Sequence, residues 1–144
     1  RPAAATEATM TTRLNPYVSF GDNAREAMTF YQQVLGGTLD LHTFGEYGAG
    51  DEPFADLVMH AVLETEDGLT LMGSDSPPGM SRTVGNNITI SLSGDDDDLL
   101  RSRFHGLAEG GTVDVPLDKQ MWGDVFGQLT DCFGIGWLVN ISGA

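Results

Sequence analysis

Apolar and polar side chains alternate over Asn15-Pro16-Tyr17-Val18-Ser19-Phe20 and again over Asn87-Ile88-Thr89-Ile90-Ser91-Leu92. A period of two marks a strand with one buried face, so both segments are read as strands, with Val18, Phe20, Ile88 and Ile90 turned toward a core. The period then lengthens. After Asp22 or Asn23, either of which suits a helix cap, Ala24, Ala27, Met28, Tyr31 and Leu35 recur at three- and four-residue steps and predict one amphipathic helix. Gly36 and Gly37 end it, because glycine accepts the left-handed conformation at a helix C-terminus. Strands are expected near 38–45, 57–64 and 69–74, the last two joined by the acidic turn Glu66-Asp67-Gly68.

The second part of the chain follows the same order. Asp95 to Asp98 open a helix carrying Leu99, Leu100, Phe104 and Leu107, Gly110 and Gly111 stop it, and strands are expected near 112–116, 124–130 and 136–142. The run Leu35-Gly-Gly-Thr-Leu-Asp-Leu41 recurs as Glu109-Gly-Gly-Thr-Val-Asp-Val115. Self-similarity in sequence and in element order indicates a duplicated βαβββ module. The expected organisation is a disordered tail over 1–12, a first module over 13–74, a linker over 75–85 containing Pro77, Pro78 and Gly79, and a second module over 86–144. Within the tail, Arg1 to Thr9 lack the apolar stretch of a secretory signal, and Met10 is read as a natural start.

Composition narrows the function classes. The chain has 144 residues, 21 acidic against 7 basic side chains, and a formal charge of -14. Such a charge repels nucleic-acid backbones and anionic lipid, so neither is an expected partner. No apolar run approaches the ~20 residues that span a bilayer as a helix. Cys132 is the lone cysteine, which excludes an intrachain disulfide and fits a reducing cytoplasm.

Several residues suggest chemistry and also carry a plainer meaning. The four aspartates at 95–98 resemble a cation cluster but are read as the acidic first turn of a helix, where they offset the macrodipole. Gly45-Glu-Tyr-Gly-Ala-Gly50 resembles a nucleotide-binding loop, yet it precedes no helix and holds no lysine. Beside Asp131, Cys132 lacks the electropositive setting of an activated thiol. His60 lies mid-strand between Val58 and Val62 and is read either as a catalytic or ligand-contacting imidazole or as a buried, hydrogen-bonded structural one. Asp75 is read either as an orienting or ligand-binding carboxylate or as a turn former. Trp137 is expected in the core, Trp122 in a loop where its flat face can meet an aromatic or cationic ligand. His42 and His105 are expected to be solvated. The loop Glu46 to Phe54 is read as a lid or as a hairpin end.

Leu14-Asn-Pro-Tyr, Glu26-Ala, Phe30-Tyr31, Val34-Leu-Gly-Gly37, Met59-His60-Ala61, Leu71-Met72-Gly-Ser-Asp75, Trp122-Gly123 and Asp131-Cys-Phe-Gly134 with Trp137 resemble the PhnB-like branch of the vicinal oxygen chelate superfamily, which includes glyoxalase, bleomycin-resistance and extradiol dioxygenase proteins. The resemblance runs from about residue 13 to 142. It implies an α+β fold in which two βαβββ modules form curved mixed sheets, half-barrels around a shared cavity with helices outside. It also implies a homodimer. Enzymes of the superfamily hold a divalent metal with His and Glu on the first and last strands of each module, and those positions carry over to Asn15, Thr70, Asn87 and Leu138. Two amides, a hydroxyl and an alkyl group bring no charge to a dehydrated dication, so no metal and no other cofactor is expected. With the core residues under the helices, Asn15, Tyr17, Ser19, Asn87, Thr89 and Ser91 face the cavity, joined by His60, Thr70, Met72, Leu138 and Asn140. Either these groups bind a small organic molecule or they satisfy one another in a filled barrel. The reading is a small-molecule-binding protein without a catalytic metal. Its alternative is a lyase, isomerase or dioxygenase-type enzyme of the same superfamily, dependent on a metal or on His60.

Overall fold

A helix buries a stripe only if a sheet face lies beneath it, and the first sheet supplies that face. In the computed structural model, which describes residues 11–143, β1 (Tyr17–Phe20), β2 (Thr38–Thr43), β3 (Val58–Glu64) and β4 (Thr70–Asp75) form one four-stranded sheet in the order β1-β4-β3-β2. β1 runs parallel to β4 and the other pairs are antiparallel. Helix α1 (Ala24–Leu35) connects β1 to β2 and buries Ala24, Ala27, Met28, Tyr31 and Leu35, the five residues of the predicted stripe. They meet Phe20, Ala61, Leu63 and Leu71 from the strands. Each large apolar side chain buried there contributes roughly 1.5–3 kcal/mol.

The second sheet repeats the arrangement. Its strands are β5 (Thr89–Gly94), β6 (Thr112–Lys119), β7 (Val125–Thr130) and β8 (Gly136–Ile141), in the order β5-β8-β7-β6 with β5 and β8 parallel. Helix α2 (Asp97–Ala108) buries Leu100, Arg103, Phe104 and Leu107 against Leu92, Leu129, Trp137 and Val139. Neither sheet closes. The chain divides into two compact units, the first reaching Arg82 and the second starting at Thr83.

Several local expectations are corrected. The tail placed over 1–12 lies almost wholly outside the described residues, and so does Met10. Asn15 and Asn87 stand just before their strands: the ladder begins at Tyr17, after Pro16, which has no amide hydrogen to give, and at Thr89. Ile88, expected in the core, is 82% exposed, again because it precedes the ladder. Leu99 is exposed while Arg103 lies on the buried stripe, since the helix phase is set by Leu100, Phe104 and Leu107. Strand β6 runs on to Lys119, accommodated by irregular register against β7 at Val113/Val115 and Val115/Asp118.

The two helix starts differ. At α2 the aspartate run behaves as read: Asp96 is the cap and its side chain accepts from the Leu99 amide at 3.2 Å. At α1 Asn23 occupies the cap position without a side-chain hydrogen bond. The carboxylate that receives the Ala24 amide comes instead from Asp75, at the end of β4.

The repeated Gly-Gly-Thr has a steric cause. Gly36 has φ +80 and ψ -171 with open space around its α-carbon, so it supplies only a backbone conformation closed to residues with a β-carbon, not the left-handed helical turn expected. A β-carbon on Gly37 would lie 2.2 Å from the Glu64 carbonyl oxygen, and one on Gly111 would lie 2.2 Å from that of Thr130. The second glycine of each pair therefore lets the chain leave its helix in direct contact with the adjacent strand. Gly36→Ala is expected to cost about 1–3 kcal/mol for its backbone conformation alone, and Gly37→Ala more than about 3 kcal/mol because, at its own positive φ, neighbouring backbone must also move. Urea unfolding of the two variants checks the order; equal losses would contradict it.

Candidate functional site

The alternation of β1, β3 and β4 sorts the candidate residues into two layers. On β4, Leu71, Gly73 and Asp75 are buried on the α1 side, and Thr70, Met72 and Ser74 are half-buried on the other. In register with them lie Tyr17 beside Met72 and Ser19 beside Ser74 on β1. Val62 pairs Met72 from β3, and Asp40 pairs Val62 from β2. A continuous row Tyr17–Met72–Val62–Asp40 thus crosses the face turned away from the helix. Of the residues read as ligand-facing in the first module, Tyr17, Ser19, His60, Thr70 and Met72 share this face.

His60 reaches the face through an irregularity. Val58, Ala61 and Leu63 are all buried, so two residues separate the first pair instead of one. The register shift between His42 and Thr43 absorbs the extra residue, Met59, and brings His60 opposite His42. His60 Nδ1 lies 3.1 Å from the Tyr17 hydroxyl, and the two rings stack with centroids 5.7 Å apart at 24°. The imidazole is therefore half-exposed and paired with a phenol, neither solvated nor buried.

Asp75 belongs to the other layer. It is 6% exposed, and its two oxygens receive the Ala24 amide and the Val58 amide, each at 2.8 Å. This corrects the ligand-facing reading: parity places it against the helix, where the carboxylate joins the start of α1 to the start of β3. It is also more than a turn former.

His42, expected to be solvated, has a fixed partner. Its Nδ1 lies 3.2 Å from Glu46 Oε1, while Glu46 Oε2 accepts from the Thr43 amide at 2.9 Å and from the Thr43 hydroxyl at 3.2 Å. The Thr43 amide first, then the His42 ring, hold the Glu46 carboxyl below the usual glutamate range. Tyr47 meets the His42 ring edge-on at 5.9 Å. Glu46 and Tyr47 belong to a single 3-10 turn, Gly45–Tyr47, that opens the connection to β3. That connection is tied along its length: Phe44 and Gly45 amides donate to Leu57 and Ala55, and Phe44 packs edge-on against Phe54 at 5.4 Å. Sequence reasoning missed this pair, although the i,i+4 spacing of His42 and Glu46 and the alternation of Asp40 and His42 were available signals.

The second sheet carries a different face. Thr89, Ser91, Leu138 and Asn140 lie on it, with Gln128 beside Leu138 and Phe126 beside Asn140. Trp122 is 61% exposed and meets the Phe126 ring at 6.3 Å, and Asn140 donates to Asp124 at 3.0 Å. Trp137 is buried as expected, its indole N–H donating to Asp131 at 2.9 Å.

The positions that the superfamily uses for a divalent metal do not fit one here. Thr70 receives the Arg13 guanidinium at 2.6 Å, which places a positive charge where a dication would need negative donors. Leu138 has no donor atom. Among the described residues, no group of three His, Cys, Asp or Glu side chains is placed to hold a metal ion. Among them, too, no helix is long and apolar enough to cross a membrane.

Comparison with known proteins agrees with this architecture. The YjdN protein of Escherichia coli is 26% identical over 140 residues, covering 89% of this chain and 94% of its own length. Protein PA1353 of Pseudomonas aeruginosa is 38% identical with a TM-score of 0.78, covering 91% of this chain and 98% of that one. The PhnB protein of Bacillus cereus, 22% identical with a TM-score of 0.73 over 91% of this chain and all of its own, shares the fold.

The Glu46 lock has a sign that can be checked. A carboxyl held low in the folded chain contributes stability that is present above the ordinary glutamate value, about 4.3, and is lost as pH falls through its lower folded value. The Tm deficit of Glu46→Gln is therefore expected to persist down to about that pH and to shrink below it; a deficit that grows on acidification would contradict the lock.

The family model of the glyoxalase/bleomycin resistance protein/dioxygenase superfamily matches residues 13–139, and the chain, with its two βαβββ units, belongs to that superfamily.

Proposed function

We propose that the chain binds a small, neutral or cationic, partly aromatic organic molecule on the sheet faces turned away from its helices, and that it does so without a metal. The observation that carries this reading is the first such face. It combines a stacked Tyr17–His60 pair with Met72 and Val62 in one row and hydrogen-bonding groups at Ser19, Ser74 and Thr70. Flat apolar surface ringed by a few oriented polar groups is the chemistry of small-molecule recognition. An anionic ligand is disfavoured by the formal charge of -14.

Trp122 against Phe126 gives the second face an exposed aromatic ledge of its own, with Asp124 close to the same strand. A tryptophan face beside a carboxylate suits a cation or an electron-poor ring.

Isothermal titration with 4-nitroacetophenone, indole and benzylamine tests the proposal. At least one is expected to saturate with a Kd below about 1 mM, and Tyr17→Ala or Trp122→Ala to weaken it by about tenfold, the share of one aromatic contact. Non-saturating heats for all three probes would overturn it.

A further inference from the structure

Two imidazoles face each other across β2 and β3, and each is anchored through the same ring nitrogen to a different kind of partner. The partners decide which proton each ring carries. An ionised carboxylate only accepts, so Glu46 requires His42 to hold its proton on Nδ1, and the neutral ring then presents a bare lone pair at Nε2. Glu46 itself cannot turn away easily, because the Thr43 amide and hydroxyl hold its other oxygen. The partner of His60 is a phenol, a better donor than acceptor. With the Tyr17 hydroxyl donating to His60 Nδ1, the proton of that ring sits on Nε2. Neighbouring rings on one face thus carry opposite tautomers, one a base and the other a donor.

We propose that His42 is a nucleophile toward a small neutral ester or similarly activated acyl compound lying on this face, with His60 donating a hydrogen bond to the oxygen that becomes negative. The proposal goes beyond binding but rests on the reading that this face receives a small molecule. The His42 Nε2 lone pair forms a bond to the carbonyl carbon, and the carbonyl π electrons move onto oxygen, opposite the His60 N–H. Collapse of that intermediate breaks the bond to the leaving oxygen, which departs with its electron pair as a phenolate. The resulting acyl-imidazolium keeps its Nδ1 proton toward Glu46, whose negative charge stabilises the cation. Water then adds to the acyl carbon and the C–N bond breaks; one of the water's protons stays on the carboxylic acid, the other passes through solvent to the departed phenolate, and the original neutral imidazole is restored. Water is the sole co-reactant and no electrons change hands. Glu46 is a positioning residue in this scheme: it fixes the tautomer and never meets the substrate.

The apolar neighbours suit such a compound. Tyr47 lies edge-on to the His42 ring and Met72 and Val62 form the adjoining row, so a flat acyl or leaving group finds contact close to the nucleophile.

The test is hydrolysis of 4-nitrophenyl acetate by the full chain in a Cys132→Ser background, because the exposed thiol of Cys132 is itself a nucleophile. Saturable turnover above buffer is expected. His42→Gln is expected to lower kcat/KM at least about tenfold, and His60→Gln to lower kcat by a larger factor than it raises KM, since its hydrogen bond strengthens as the oxyanion forms while the ring also contributes to the binding face. Glu46→Gln should lower the rate and, in ring-nitrogen NMR, convert His42 from the Nδ1-protonated form to a mixture, a change that a merely structural role would not produce. A His42→Gln rate equal to that of the background protein overturns the proposal, as does a native His42 protonated on Nε2. Saturable binding of 4-nitroacetophenone, which has the carbonyl but no leaving group, without turnover of the acetate sinks this inference and leaves the binding reading standing. Absence of turnover together with non-saturating heats for 4-nitroacetophenone, indole and benzylamine removes the two together.

Discussion

A buried carboxylate fixes the relation between helix and sheet in the first unit. Asp75 closes β4, and its two oxygens receive one amide from the first turn of α1 and one from the first residue of β3. Charge-assisted bonds of this kind are worth about 1.5–3 kcal/mol each, and a buried carboxylate that lost them would be left desolvated. Three elements far apart in sequence are therefore held at one point. The consequence lies on the opposite layer of the sheet. Because the Val58 amide is tied to the helix side, the chain must spend an extra residue before Ala61 returns to that side, and the residue delivered to the open face is His60. Sliding β3 by one position would exchange His60 for an apolar neighbour and separate it from both Tyr17 and His42.

The second unit solves a similar problem with its own aspartate. Asp131 accepts from the amides of Phe133 and Ile135 and from the indole of Trp137, closing the turn between β7 and β8 around the largest buried side chain. The two units share the glycine that lets each helix lead directly into its sheet. They differ in what the open face carries: imidazoles, tyrosine and Arg13 on the first, Trp122, Phe126 and Asn140 on the second. A duplicated scaffold with unlike faces separates architecture from chemistry, and that separation explains why membership of the superfamily does not by itself name a reaction.

How much could be read in advance followed from how local each determinant is. The α1 stripe and the alternating strands were legible because burial imposes a period that neighbouring residues display together. The same alternation assigned Tyr17, Met72, Leu138 and Asn140 to their faces. Asp75 was misplaced because its role depends on amides 51 and 17 residues away, which no local pattern registers. Asn15, Asn87 and Ile88 were carried one or two positions too far by extending a clean alternation past the point where the hydrogen-bonded ladder begins. Phe126 and Gln128 entered no site reading, although the spacing of β7 put them beside Asn140 and Leu138. The pairing of His42 with His60 required a bulge, and sequence carries no reliable mark of where an extra residue will be accommodated.

The central claim, that one buried carboxylate sets the register of the imidazole-bearing strand, is tested most directly by amide hydrogen exchange on the native chain and on Asp75→Asn. Asparagine keeps the shape but offers one acceptor oxygen in place of two and no charge. The account predicts slow exchange at Ala24 and Val58 in the native chain, a gain of about tenfold or more at one or both in the variant, and loss of the Tyr17–His60 ring contact in its NMR spectrum. Unchanged protection at both amides, with the Tyr17–His60 contact intact, would contradict it.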